Sequence, residues 1–113
     1  MKYIIAIIQP DKLSDVRRAL IKNEINLMTV SEVIGHGRQQ GITEVFRGHK
    51  EAGFFLRKVK LEIAVNDEFL EAAVNAINEA AYSGKPGDGK IFVLELQEVY
   101  RIHTRETGKV AIG

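Results

Sequence analysis

Between Lys58 and Ala81 the hydrophobic period changes once, and that change limits the folds open to the chain. "KVKLEIAV" alternates Val59, Leu61, Ile63 and Val65 with polar partners, the period-two pattern of a half-buried strand. In "NDEFLEAAVNAINEAA" the residues Phe69, Leu70, Ala73, Val74, Ile77, Ala80 and Ala81 recur every 3.6 positions, which predicts an amphipathic helix. Asn66 or Asp67 is placed to cap it, and Asp67 with Glu68 suits the positive end of its dipole. A half-buried strand running directly into a one-faced helix must share a two-layer core with it.

The remaining elements fit the same scheme. Tyr3 to Ile8 is an almost unbroken β-branched run closed by Pro10, expected as a central strand buried on both faces. From Lys12 to Lys22, Leu13, Val16, Ala19 and Leu20 repeat at helical spacing, in a helix starting near Asp11. "LMTVSEVIG" gives a second strand and "IFVLELQEV" a fourth. The order is βαββαβ, a ferredoxin-like α+β sandwich in which two helices cover one face of an antiparallel sheet. One domain spanning 1–113 accommodates it.

Composition narrows the chemistry. The chain has no cysteine, which excludes disulfides, thiolate zinc sites and cysteine nucleophiles. Sixteen Lys and Arg against fifteen Asp and Glu leave a net charge of +1, so the molecule as a whole is no polycation and nucleic acid is not an expected partner. "MKYIIAIIQP" lacks the long apolar segment and cleavage site of an export signal, and no other run approaches a membrane span. The cytoplasm is therefore the default location.

"GKPGDGKIF" is the most distinctive stretch. Gly84-x4-Gly89-Lys90 matches the phosphate-cradling P-loop up to its last position, where Ile91 replaces the magnesium-binding hydroxyl. A P-loop also runs from strand into helix, whereas these glycines leave a helix and enter a strand. Gly84 fits a helix C-cap and Pro86–Gly87 a tight turn. Gly87 and Gly89 equally suit a backbone nest for an anion, with Lys90 adding a point charge.

About twenty residues, "GHGRQQGITEVFRGHKEAGFFLR", separate the two middle strands without a buried-helix or continuous strand pattern. They carry Arg38, Arg47, Lys50 and Arg57 against Glu44 and Glu51. Such a segment is either a solvated excursion or an arm that reorders on binding a ligand or partner. In the tail, Arg101, His103 and Arg105 recur at period two, so an extended backbone would present all three on one side.

Together "MTVSEVIGHGRQQG", "TEVFRG", "FLRKVKLEI", "GKPGDGKIFV" and "RIHT" resemble the PII nitrogen-regulatory signal-transduction family over essentially the whole chain. The resemblance implies a ferredoxin-like homotrimer with ATP/ADP sites in clefts between subunits, and a partner-binding T-loop at approximately 37–56 before a C-terminal tail at approximately 101–113. Carried over by position, Gly87, Asp88, Gly89 and Lys90 would cradle the phosphates. Thr29, Gly37, Arg38 and Gln39 would line the cleft, Arg101 would contact phosphates, and Met28 and Ala64 would surround the base. Gln39 and Lys58 correspond to residues that hold 2-oxoglutarate beside Mg-ATP, the amide near the Mg2+ and the ammonium on the distal carboxylate.

Three positions depart from the family pattern. Glu51 stands where many members carry a modifiable tyrosine, so no uridylylation is expected there. His103 replaces the usual second phosphate-binding arginine, and an imidazole carries only part of a charge near neutral pH. Arg57 replaces the common proline before Lys58. The implied role is a non-enzymatic sensor whose T-loop reports nucleotide and effector state to a membrane transporter or metabolic enzyme. An alternative is a relative sensing nucleotides without a 2-oxoglutarate response and serving a metal or bicarbonate transporter. Two further classes fit less well: a phosphotransferase using His36, His49 or His103, for which sequence fixes no acidic partner, and an RNA-binding module, for which Phe92 lacks companion aromatics.

Overall fold

The computed structural model describes the backbone of residues 1–37, 44–46, 49–51 and 54–113, and the side chains of residues 1–37 and 55–113. Strand β1 (Lys2–Ile8) leads through a 3-10 turn (Pro10–Lys12) into α1 (Leu13–Lys22). Strand β2 (Thr29–Gly37) follows, then the short strands β3 (Glu44–Phe46) and β4 (His49–Glu51), then β5 (Phe54–Val65). Helix α2 (Asp67–Ala81), strand β6 (Gly89–Glu95) and the single turn α3 (Lys109–Ile112) complete the described elements.

The main sheet has the order β2-β5-β1-β6 and is antiparallel throughout, so βαββαβ is realised with β1 and β5 in the middle. Pro10 lacks an amide hydrogen for the β1 ladder but suits the first position of a helical turn, which explains the 3-10 turn ahead of α1. Ile4, Ala6 and Ile8 of β1 and Val59, Leu61, Ile63 and Val65 of β5 point to one face. Val16 and Leu20 of α1 and Ala73, Ala76, Ile77 and Ala81 of α2 close over them as a single core. The small alanines of α2 let it sit close to the β-branched surface.

The other sheet face is open in the single chain. There Tyr3, Ile5 and Ile7 are half-buried, and Phe92 and Leu94 are each 48% exposed. The expectation that β1 is buried on both faces therefore holds within one chain only for the helix side.

Several boundaries differ from the sequence reading. Strands β2 and β5 run on as a long hairpin to the Gly37↔Phe54 pair, and β3 pairs with β4 as a separate ribbon. Three-residue strands are too short to display a period, which is why the sequence of this segment shows none. Asn66 does stand at the N-cap of α2, but its amide donates to the Lys109 carbonyl (3.2 Å) rather than capping the helix. The tail is not extended. The Arg105 amide donates to the Arg101 carbonyl (2.8 Å), Arg105 is left-handed at φ 63, and Tyr100 bridges Thr107. That tight reversal removes the period-two row of Arg101, His103 and Arg105.

Candidate functional site

The glycine-rich turn joins α2 to β6. Helix α2 stops at Ala81, with Tyr82 extended as C-cap, so Gly84 lies beyond the cap and serves the turn itself. Gly84, Gly87 and Gly89 all have positive φ. The Asp88 carboxylate accepts the Ser83 amide (2.8 Å), the Gly84 amide (3.2 Å) and the Ser83 hydroxyl. The Ser83 hydroxyl, the Ser83 and Gly84 amides and nearby Lys12 hold that carboxyl below its ordinary value.

On the other side the Gly87 carbonyl accepts two donors, Gln9 Nε2 at 2.8 Å and Lys58 Nζ at 2.6 Å. A Cβ on Gly87 would sit 3.2 Å from Gln9 Nε2 and 3.6 Å from Lys58 Nζ. On Gly89, at φ 109, it would fall 1.7 Å from the Ile7 carbonyl oxygen. Only glycine lets β6 begin this close to β1, where Gly89 pairs with Ile8.

Antiparallel pairing carries further residues to this end of the sheet. The end of β1 lies beside the start of β6 and the middle of β5, which brings Gln9, Lys58 and Lys90 to one rim. An open cleft of about 510 Å³ results, lined among others by Gly37, Lys58, Gly87, Asp88, Gly89 and Lys90. Glycine backbone with two lysines, and Lys85 at the edge, fits an anionic ligand of phosphate type. Thus six of the expected residues are brought together. Gln9, Lys85 and Gly35 also border the turn or cleft and were missed, as was the place of His36 in the cleft. Register carried a signal for Gln9: with Ile8 opposite Val59, the next residue faces Lys58.

The other expected residues lie at the opposite end. Thr29 opens β2 opposite Glu62, Ala64 pairs with Tyr3, and Met28 packs against the core. Arg101 Nε donates to the Ala111 carbonyl (3.3 Å), and a Cβ on Gly113 would fall 2.6 Å from its guanidinium and 3.8 Å from Leu27 Cδ1. His103 is exposed in the following turn. From Lys58 to Ala64 along β5 is about 20 Å at the usual strand rise, so one chain does not bring both groups to one ligand. Arg38 and Gln39 lie outside the described residues, and so does the side chain of Glu51.

Of the histidines, His36 meets Phe55 edge-on, with ring centroids 5.0 Å apart, rather than a carboxylate. The side chain of His49 lies outside the described residues. Among the described residues no cluster of three His, Asp or Glu side chains offers a metal site, and no helix is long and apolar enough to cross a membrane.

Residues 1–106 match the family described as Nitrogen regulatory protein P-II. The chain is 52% identical to the nitrogen regulatory protein P-II of Pasteurella multocida, across 99% of this chain and 100% of that one. It is 50% identical to the nitrogen regulatory protein GlnK1 of Methanosarcina mazei, across 99% and 97%. The figure for GlnK of Escherichia coli is 48%, across 99% and 100%. A match of this extent, on a four-stranded βαββαβ sheet with its glycine turn in place, shows that the chain belongs to the P-II family of nitrogen regulatory proteins, which are regulators and not enzymes.

Proposed function

We propose that this chain works as a cytoplasmic homotrimer that binds ATP and ADP in clefts shared between neighbouring copies, and signals their occupancy through the T-loop to a transporter or metabolic enzyme. Each copy contributes the Gly87–Lys90 turn to one cleft and the Met28, Thr29, Ala64, Arg101 and His103 group to the next. The observation that carries this reading is the separation of the two groups by about 20 Å along β5. A second copy supplies what one chain lacks, and the open face bearing Ile5, Ile7, Phe92 and Leu94 gives it apolar surface to cover. Arg38 and Gln39, at the foot of the T-loop, complete the phosphate and Mg2+ contacts in this proposal.

2-Oxoglutarate is the proposed effector. Lys58 Nζ is held 2.6 Å from the Gly87 carbonyl, and an effector carboxylate would draw it away from the nucleotide turn. Ligand and loop are coupled only if each loop state binds the ligands with different affinity.

Complementation tests the shared cleft. Lys90→Ala and Arg101→Ala chains are each expected to lose most ATP binding by calorimetry. Unfolded together and refolded at equal amounts, they form mixed trimers in which about one cleft in four carries both native halves. Recovery of about a quarter of the wild-type sites is the expected result. No recovery in verified mixed trimers refutes the shared cleft. Repeating the wild-type titration with Mg-ATP and 2-oxoglutarate separates this reading from that of a relative sensing nucleotides alone.

A further inference from the structure

An acidic residue at the centre of an anion-binding turn is unfavourable unless its charge is already engaged. Both Asp88 oxygens are engaged. They accept the Ser83 amide, the Ser83 hydroxyl and the Gly84 amide, and the same hydroxyl accepts the Lys85 amide at 3.2 Å. These bonds come from the α2 side of the turn, while Gln9 and Lys58 hold the Gly87 carbonyl from the sheet side. The Gly87 carbonyl and the Asp88 amide belong to one planar peptide unit, so the two sets of bonds fix its orientation between them.

From this arrangement we propose that Asp88 is a positioning residue, not a ligand: with Ser83 it forms a clasp that presets the glycine turn for nucleotide phosphates. The inference rests on the nucleotide reading above and adds how the site is kept ready. Three glycines with positive φ give this turn many alternative conformations, and each left open weakens binding by the fraction of time spent there. Closing Ser83 onto Asp88 removes them before the ligand arrives. The clasp also turns the carboxylate towards Ser83 and Gly84, leaving the backbone of Asp88 to meet a ligand.

Two substitutions test the clasp: Asp88→Asn, which halves the acceptor capacity and removes the charge, and Ser83→Ala, which deletes one hydroxyl. Without nucleotide, hydrogen exchange at the Ser83 and Gly84 amides is expected to speed up in Asp88→Asn, with helicity and oligomeric state unchanged. Calorimetry should show affinity for ATP and ADP falling about tenfold in Asp88→Asn and about three- to fivefold in Ser83→Ala, equally with and without Mg2+. Ser83→Thr, which keeps the hydroxyl, should bind like wild type.

A carboxylate facing the phosphates would instead make metal-free binding tighter on Asp88→Asn, and one holding Mg2+ would lose affinity only with the metal present. Either result overturns the proposal, as does unchanged binding in both variants. Should Asp88→Asn fail to fold, Ser83→Ala carries the test, because its loss is a single exposed hydroxyl. Failure of the wild-type protein to bind either nucleotide refutes the proposed function and this inference with it, whereas wild-type binding with unaffected variants refutes this inference alone.

Discussion

Substituting Gly89 with alanine puts the β1–β6 junction under direct strain. The new methyl would lie 1.7 Å from the Ile7 carbonyl oxygen and 2.8 Å from its carbon, on a residue at φ 109. The obstruction is backbone, so no side chain can swing aside, and the strands must part by at least about 1.7 Å to reach an ordinary contact of about 3.4 Å. Holding alanine at that φ costs about 1–3 kcal/mol, and forcing a methyl into filled space adds about 1–3 kcal/mol. Against a total stability of about 5–15 kcal/mol the loss is large, and a fall in melting temperature of roughly 10–20 °C follows for a domain of this size. Gly37→Ala is the control: its methyl meets nothing within 4 Å among the described residues, φ is not positive, and stability should change by less than about 1 kcal/mol. Urea and thermal unfolding of the three proteins at one fixed concentration, followed by circular dichroism, measure the difference. If Gly89→Ala unfolds within about 1 kcal/mol of the control, the close approach of β6 to β1 is wrong.

Other consequences are more local. In Lys58→Ala, where Gln9 still holds the Gly87 carbonyl, ATP affinity should fall far less than 2-oxoglutarate affinity, which should drop about ten- to a hundredfold for one lost charge-assisted contact; an unchanged effector titration removes Lys58 from that role. Glu24 sits at φ 63 just past α1, where its amide and that of Ile25 bond back to Ile21 and Leu20. Glycine suits that position better, so Glu24→Gly should raise stability by up to about 1 kcal/mol, and a lower melting temperature would contradict the geometry. The Tyr3 hydroxyl, then Lys60, hold the Glu62 carboxyl below its ordinary 4.5, so this pair supports folding fully above about pH 4.5 and the support is lost as pH falls through the lowered value. Tyr3 itself is raised above 10.0, chiefly by its bond to Glu62, and its contribution is lost as pH rises through the raised value. Tyr3→Phe should therefore flatten the melting-temperature profile at both the acid and alkaline ends, and a superimposable profile would argue that the pair contributes nothing.

Much of the fold was legible because the core elements are strongly periodic. The alternation of Val59 to Val65 survives as the inner part of β5, and the 3.6-residue repeat to Ala81 survives as α2, although Phe69 is exposed and Ala76 joins the buried side. Legibility ended where packing no longer imposes a pattern. The outer halves of β2 and β5 lie beyond the core, leaving Ile34 and Phe55 at 70% and 73% exposure, and an exposed strand has no need to alternate. The tail misled for a different reason: period two in Arg101, His103 and Arg105 describes one extended face only if φ stays negative, and Arg105 does not comply. At the turn, residue types pointed to anion binding, whereas the hydrogen bonds that Asp88 and Gln9 close are visible only in three dimensions.

The division of the candidate site is the harder lesson. Nothing in a linear sequence tells whether residues that share one ligand share one chain, and Lys90 and Arg101 are close neighbours along it. In the fold, β6 carries the chain from the glycine turn across the sheet to its far end, so a short sequence separation becomes a span of nearly the full strand. The same strand leaves Phe92 and Leu94 beside Ile5 on the face that the helices do not cover. A lone chain would therefore combine two functional flaws, half a cleft at each end and apolar surface between them. In the proposed assembly, association of copies through that surface would remove both together, and would account for an apolar β6 leading directly out of a polar, glycine-rich turn.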